Sequence, residues 1–408
     1  MKIIYIHQYF YTRKMVSNAG NRSYEFARRL VSYGHEVHMI TADNSADIDA
    51  KPEWYHTVED GINVHWLPNP YSNSMPFPQR VTAFLRYAFR AALYSAKLQG
   101  DVVFATSGPL TVAVPALIAK YRLRRPLVFE VRDLWPEGAI QLGVLKKPHT
   151  KFLLRMLERF TYRRSKHIVA LSPGMKDGVL SSGILSEKVT VIPNAADLDL
   201  FSPEVDGSEY RDRLGLGDRF TAGYFGTMGL ANGLSYVLDA AAELKSRGVS
   251  DIALFLHGDG MERADLVARA EAEGLDNVIF SDPIADKSEL PRLVAAVDVA
   301  MTIYKNVPVL RTCSPNKMFD AFAAGKPVLI NMSGWLGDLA EKEGTGVLVK
   351  ADDPVDFADK LIWLRDHPEE RKAFSRRARQ LAEERFDRDK LAKEFERVLQ
   401  MAVSDGRK

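Results

Sequence analysis

Only one cysteine, Cys313, occurs in the 408 residues. That excludes an internal disulfide framework and any zinc site built on a cysteine cluster, and it suits a reducing compartment, so the cytoplasm is the expected location. An excess of either charge is also missing: 55 Lys and Arg stand against 53 Asp and Glu. This balance argues against a general nucleic-acid binder and leaves any polyanion to be met by a local patch. No apolar run approaches the roughly 20 residues of a membrane-spanning helix. The opening MKIIYIHQYF has no long apolar core and no small-residue cleavage site, so it reads as a first strand rather than a signal peptide. Repeats of about 20–50 residues are absent too, which excludes solenoids and propellers.

What is present is an alternation of short Ile/Val/Phe-rich runs with amphipathic stretches, the pattern of parallel sheets covered by helices on both faces. Two sets occur. The first has strands near 3–6, 37–41, 64–67, 102–106, 127–131, 168–171 and 189–192, and the second near 221–225, 252–256, 278–280, 299–303, 328–330 and 347–349. Between them PNAADLDLFSPE, with Pro193 and Pro203 and little periodicity, suits an inter-domain connector and hinge. The expectation is an α/β protein of two Rossmann-like, doubly wound domains facing each other across a cleft. Their bounds are 1–195 and 196–386, with a terminal helix at about 387–408 that has no strand after it and must pack on something already built.

In doubly wound sheets ligands bind beyond the carboxyl ends of strands, where loops lead into helix N-termini that attract anions. The loop RTCSPNKMFDAFAAGKPVLI, Arg311 to Ile330, predicts a helix capped by Ser314, with Pro315 in its first turn and an end near Gly325. Its first amides, those of Ser314 to Lys317 and so including Asn316, would face a diphosphate. Arg311 and Lys317 would add the positive charge a departing nucleotide diphosphate needs. Asp320, one turn in, could accept from two ribose hydroxyls; Lys317 and Asp320 fit a solvent-facing i,i+3 ion pair equally well.

FGTMGLANGL, opening the second set, offers Gly226, Thr227, Gly229 and Asn232 as a phosphate or sugar cradle, or simply as a tight turn. HGDG at 257–260 likewise places Gly258 and Asp259 either in a ligand loop or in a strand-to-helix turn. In the first set the loop after strand one runs to Gly20 and Asn21 at a helix start. FEVRDLWPEGA leaves Arg132, Asp133 and Glu137 just past a buried strand. These are the candidate acceptor-binding groups, and Asp133 joins Arg311 and Lys317 as a candidate for the chemistry. The structural alternatives are an Arg132–Asp133 pair and, for His7, a satisfied core imidazole. In QRVTAFLRYAFRAALYSAKL, helical angles put Val81, Phe84, Leu85, Ala88 and Ala92 on one face, expected to pack on the sheet, and Arg86, Arg90 and Lys97 on the other. That basic face is either a plain solvated surface or a contact with anionic lipid at about 1 kcal/mol per residue.

Six segments in order, RSYEFARRLVSYGHEVHMIT, VRDLWPEGAI, VIPNAADLDLF, FGTMGLANGL, HGDG and SPNKMFDAFAAGKPVLI, make the chain resemble glycosyltransferase family 4, retaining enzymes of the GT-B fold, over essentially its whole length. The most similar members build bacterial surface polysaccharides. The resemblance implies that Asp320 takes the second acid position of the family's Glu-x7-Glu motif, which holds the ribose, and that Thr312 stands at the first, as in a subgroup with a Pro-Ser-Lys-like motif. The family's Arg and Lys pair in the first donor-domain loop is absent, MGLANG offering only Asn232, so the phosphate role passes to Arg311 and Lys317. The resemblance further implies a terminal helix that crosses back onto the first domain, and metal-independent transfer with no cofactor. It implies a nucleotide-sugar donor, expected to be uridine diphosphate linked, and a glycan or polyprenol-linked glycan acceptor. The alternatives are an epimerase of the same fold or a non-catalytic sugar-nucleotide-binding scaffold. A nicotinamide-dependent dehydrogenase is disfavoured, since no strand runs into the dinucleotide fingerprint.

Overall fold

The computed structural model describes residues 1–12, 22–45, 53–72, 75–284 and 286–404. The chain divides into two compact units, one of Met1–Pro193 with Asp389–Lys408 and the other Asn194–Arg388. Among the described residues the first unit has eight strands: β1 (Lys2–Ile6), β2 (Glu36–Asp43), β3 (Tyr55–Glu59), β4 (Ile62–Pro68), β5 (Val102–Thr106), β6 (Leu127–Val131), β7 (His167–Ala170) and β8 (Val189–Val191). They form one sheet in the order β3-β4-β2-β1-β5-β6-β7-β8, with Ile3 paired to Val37 on one side and Val102 on the other. The second unit has β9 (Phe220–Phe225), β10 (Ile252–His257), β11 (Val278–Ser281), β12 (Val299–Thr302), β13 (Val328–Ile330) and β14 (Gly346–Leu348), in the order β11-β10-β9-β12-β13-β14 and parallel throughout. In both sheets the strand order reverses beside the first strand, between β1 and β5 and between β9 and β12. Ligands bind at such switch points in Rossmann-like domains.

The runs VVFAT of β5 and LVFEV of β6 are buried at every position, as strands covered on both faces must be. The sequence pattern located every strand except β3, whose residues YHTVE are half-buried or exposed and which pairs antiparallel with β4 at the sheet edge. The signal for it was the turn instead. Asp60 and Gly61 both have positive φ, 46° and 81°, the Asp-Gly conformation of a two-residue hairpin.

Helices α1 (Arg22–Ser32), α2 (Phe77–Ser95), α3 (Ala113–Leu123), α4 (Glu137–Gln141) and α5 (Pro148–Arg164) surround this sheet with others. Tyr87 and Ala91 of α2, Ala113 and Ala116 of α3 and Tyr162 of α5 join one apolar core with Ile6, Val103 and Phe129. The face expected of α2 is corrected here. Leu85, placed on the sheet side by helical angle, is 59% exposed, and the buried residues are Ala83, Tyr87, Ala88, Ala91 and Ala92. Small side chains let α2 lie close against α3, so the alanines turn inward with Tyr87, and Leu85, Phe89 and Leu93 turn outward.

On the opposite face the terminal helix, Arg388–Ser404, packs through Phe395, whose ring centroid lies 5.2 Å from that of Phe26 and 4.7 Å from that of Phe104. Glu396 meets His35 at 2.8 Å, and Arg29 pairs with Asp389. At the start of α1 the buried Arg22 guanidinium donates twice to Glu130 Oε1, at 3.0 and 2.9 Å, and to the carbonyls of Ile192 and Pro193. Thr106 Oγ donates to the other Glu130 oxygen at 2.6 Å. Among the described residues no helix is long and apolar enough to cross a membrane.

Candidate active site

In the second unit the loops after β9 and β10 are laced together by backbone. The Gly226 amide donates to the His257 carbonyl at 3.0 Å, the Met228 amide to the Asp259 carbonyl at 2.9 Å, and the Glu262 amide to the Met228 carbonyl at 3.0 Å. So close an approach dictates glycine. At Gly258, where φ is +133°, a Cβ would stand 2.0 Å from the Gly226 carbonyl oxygen. The HGDG glycine is therefore more than turn chemistry. Gly258→Ala should cost about 2–5 kcal/mol through backbone strain and overpacking, read as a lowered denaturation midpoint; an unchanged midpoint would mean that the two loops separate freely. Gly229 is under no such demand, since a Cβ there would meet only ordinary contacts. Asn232 serves its own loop, its Oδ1 accepting from the Gly229 amide at 3.4 Å. Thr227 and Asp259 are exposed at the loop tips.

Lys317 meets these loops. Its Nζ lies 3.7 Å from the centroid of the buried Tyr224 ring and 5.8 Å from that of Tyr304, and a Cβ on Gly226 would come within 3.3 Å of it. Burial pushes the ammonium down to about 7, with Cys313 pulling weakly the other way. The helix Asn316–Ala323 follows Pro315, which supplies no side-chain cap, so the cap expected of Ser314 is corrected, as is the place of Pro315, which precedes the helix. The Ser314 hydroxyl instead accepts from the Asn194 amide at 3.1 Å, and its carbonyl accepts from Asn194 Nδ2. The helix end thus takes no side-chain cap from Pro315 or from the Ser314 hydroxyl, and its dipole suits an anion. Asp320 is half-buried one turn on, and Thr312 bonds the Val309 carbonyl at 2.7 Å from the short turn Pro308–Thr312.

The two cations expected to act together have different surroundings. Arg311 is exposed, bonds Asn306 Oδ1 at 3.4 Å and lines a pocket of about 460 Å³ with Asn331, Ser333, Lys350 and Lys360. Only Lys317 is held against the glycine loops.

In the first unit the Arg132 amide donates to Ser107 Oγ at 2.9 Å, and its guanidinium lies 3.3 Å from His7 Nε2. Burial holds His7 far below the usual imidazole range, with Arg132 adding to the effect, so Nε2 is the acceptor. His7 Nδ1 and both ends of the buried Gln8 side-chain amide find no protein partner among the described residues, so His7 is not the satisfied imidazole of the structural alternative. Unpaired buried polar groups are costly and rare, and here two successive residues carry them at the β1/β5 switch point. Sequence reasoning passed over Gln8, although HQ directly after an apolar strand was the available signal. Asp133 is pushed up to about 6 by the protein crowding its carboxyl, against the pull of Arg132, while its side chain keeps access to solvent. Glu137 turns elsewhere: Gln141 and Arg155 hold its carboxylate, at 2.9 and 3.0 Å. Gly20 and Asn21 lie outside the described residues.

Comparison with known proteins agrees with this layout. A glycosyl transferase 4-like domain matches residues 19–195, and the glycosyl transferases group 1 domain matches 219–367. A D-inositol 3-phosphate glycosyltransferase of Thermobispora bispora is 25% identical over 366 residues, covering 86% of this chain and 82% of that protein. The probable glycosyltransferase WbjE of Pseudomonas aeruginosa is 25% identical over 318 residues, covering 74% and 76%. The crystal structure of Anabaena HepE with UDP and glucose superposes with a TM-score of 0.72 at 20% identity, covering 98% of this chain and 99% of that one. With two Rossmann-like units and both family domains in order, the chain belongs to the GT-B glycosyltransferases of the family 4 type.

Proposed function

We propose that this protein moves a hexose or modified hexose, with retention at the anomeric carbon, from a uridine diphosphate sugar to a hydroxyl of a glycan or lipid-linked glycan in bacterial surface-polysaccharide assembly. The second unit takes the donor. Its diphosphate lies on the first amides of the helix Asn316–Ala323 and beside Lys317, and Asp320 receives the ribose. Charge on the departing diphosphate is met by that ammonium and those amides, without a metal. The first unit presents the acceptor at Arg132, Asp133 and the polar groups of His7 and Gln8. The observation that carries this reading is the meeting of Lys317 with the two interlocked glycine loops at a sheet switch point. The relatives named above support the donor class: HepE holds UDP and glucose in its crystal.

Thermal shift against UDP, UDP-glucose, GDP, GDP-mannose and ADP tests it. One nucleotide diphosphate and its sugar should stabilise the fold by about 3 kcal/mol at a concentration a hundredfold above Kd, and nucleotide release should then depend on acceptor. Silence across the panel would remove the donor assignment. Donor turned over with no acceptor, and with its sugar isomerised, would replace transfer by epimerisation.

A further inference from the structure

Where α2 packs on β2 and β4, the first sheet brings histidines together. His65 of β4 lies opposite His56 of β3 on one side and opposite Ile40 of β2 on the other, two residues along from His38. Four side chains then join in a line. Glu36 Oε1 lies 2.7 Å from His38 Nε2, His38 Nδ1 lies 2.9 Å from His65 Nε2, and His65 Nδ1 lies 2.8 Å from Tyr94 Oη of α2. The planes of the His38 and His65 rings are 13° apart and their centroids 5.2 Å, so the rings meet edge to edge and the bond between them is well aligned. Lys2 Nζ, 2.9 Å from Glu36 Oε1, and the His56 ring, 5.0 Å from that of His65, also face the line. At its far end Tyr94 stacks on Trp54, with centroids 4.2 Å apart, just ahead of β3.

The hydrogens of this line have few possible arrangements. The bonds from His38 and Lys2 hold Glu36 below the usual carboxylate range, and an ionised carboxylate only accepts, so His38 Nε2 carries a hydrogen. With both rings neutral, His38 Nδ1 must accept. His65 Nε2 therefore donates, and His65 Nδ1 accepts from the Tyr94 hydroxyl. One added proton reverses the far end: whichever ring carries the charge, His65 Nδ1 now bears a hydrogen and Tyr94 must accept it. Burial pushes His65 down to about 4, with His38, His56 and Lys2 adding to the effect, whereas Glu36 favours charge on His38. A second proton would set two N–H groups against each other across the 2.9 Å gap and break the line. The two rings thus share one titration.

We propose that Glu36, His38, His65 and Tyr94 form a proton relay that turns the Tyr94 hydroxyl from donor to acceptor as the medium acidifies, a pH-sensitive tie between the sheet edge and the end of α2. Solvent gives a proton to Tyr94 Oη, which is half-buried and can turn its hydrogen to water. The hydrogen Tyr94 held passes to His65 Nδ1, the Nε2 hydrogen of His65 passes to His38 Nδ1, and the charge comes to rest beside Glu36. Only O–H and N–H bonds change, and the relay holds whichever donor the second unit takes. Nitrogen NMR of the protein labelled at its histidines, from about pH 8 to about pH 5, tests it. His65 should pass from the Nε2–H form to one protonated at Nδ1, at the midpoint at which His38 becomes a cation, and the pair should take up one proton. Glu36→Gln changes an exposed residue, so the fold is kept; it should weaken proton uptake about tenfold and carry the His65 transition with it. A His65 Nδ1 that stays bare throughout, rings that each take a full proton, or a Glu36→Gln variant that shifts His38 alone or neither ring would overturn the relay. Melting temperature against pH is no substitute, because burial also lowers His7, His167 and His257.

Discussion

Replacing Lys317 by alanine is expected to lower kcat/KM for glycosyl transfer by roughly 10²–10³-fold, the usual consequence of removing one preorganised positive or hydrogen-bonding group from a developing anion. The effect should fall mainly on kcat, because charge on the diphosphate grows as the glycosidic bond breaks. A loss confined to KM would give Lys317 a ground-state role only. The same residue sets a pH signature. Burial holds the free ammonium at about 7, and a bound diphosphate must raise it again. Donor binding above that pH therefore takes up a proton, and affinity declines as pH rises from about 7 toward the value in the complex; below about 7 the lysine is already charged and contributes no pH dependence. Calorimetry at pH 8 in buffers of different ionisation enthalpy measures the uptake, and its absence in the parent would contradict the assignment. The sign for folding is the reverse. Unfolded chains hold this proton up to the ordinary 10.5, so between about 7 and 10.5 the unliganded fold gains stability as pH rises.

Glu130→Ala should destabilise the first unit by about 3–5 kcal/mol, since it leaves the Arg22 guanidinium buried without its counter-charge. Arg22 is 2% exposed and Glu130 fully buried, so neither can turn to water. Urea denaturation followed in the first unit measures the loss, and a change below 1 kcal/mol would show that the carbonyls of Ile192 and Pro193 alone satisfy the arginine. Arg22→Met with Glu130→Leu should recover part of the loss by removing both charges together. Recovery stays partial because those two carbonyls lose their donor.

Much of this architecture could be read from the residues because its governing interactions are local. Buried parallel strands declare themselves as unbroken apolar runs, and GTMGLANG and HGDG as glycine loops at strand ends. What escaped depends on partners far away in the chain. Ser314 looks like a cap until Asn194, 120 residues earlier, claims its hydroxyl. Leu85 looks buried until the alanines of α2 close on α3. Gly258 looks like a turn until the Gly226 carbonyl is found in the space a Cβ would fill. Arg311 and Lys317 look like a pair because they lie six positions apart, yet one faces a pocket with Lys350 and the other an aromatic ring.

The placement of Phe395 between Phe26 and Phe104 bears on the order in which the protein comes into being. Residues 194–388 are in effect inserted within the first unit, whose sheet and α1 are synthesised early but whose far face is completed only by residues made after the whole insert. During translation the second unit can close its core as soon as it emerges, while the first must wait with Phe26 and Phe104 uncovered. A ribosome stalled anywhere between those points holds a chain whose later half is complete before its earlier half, the inverse of the usual vectorial order.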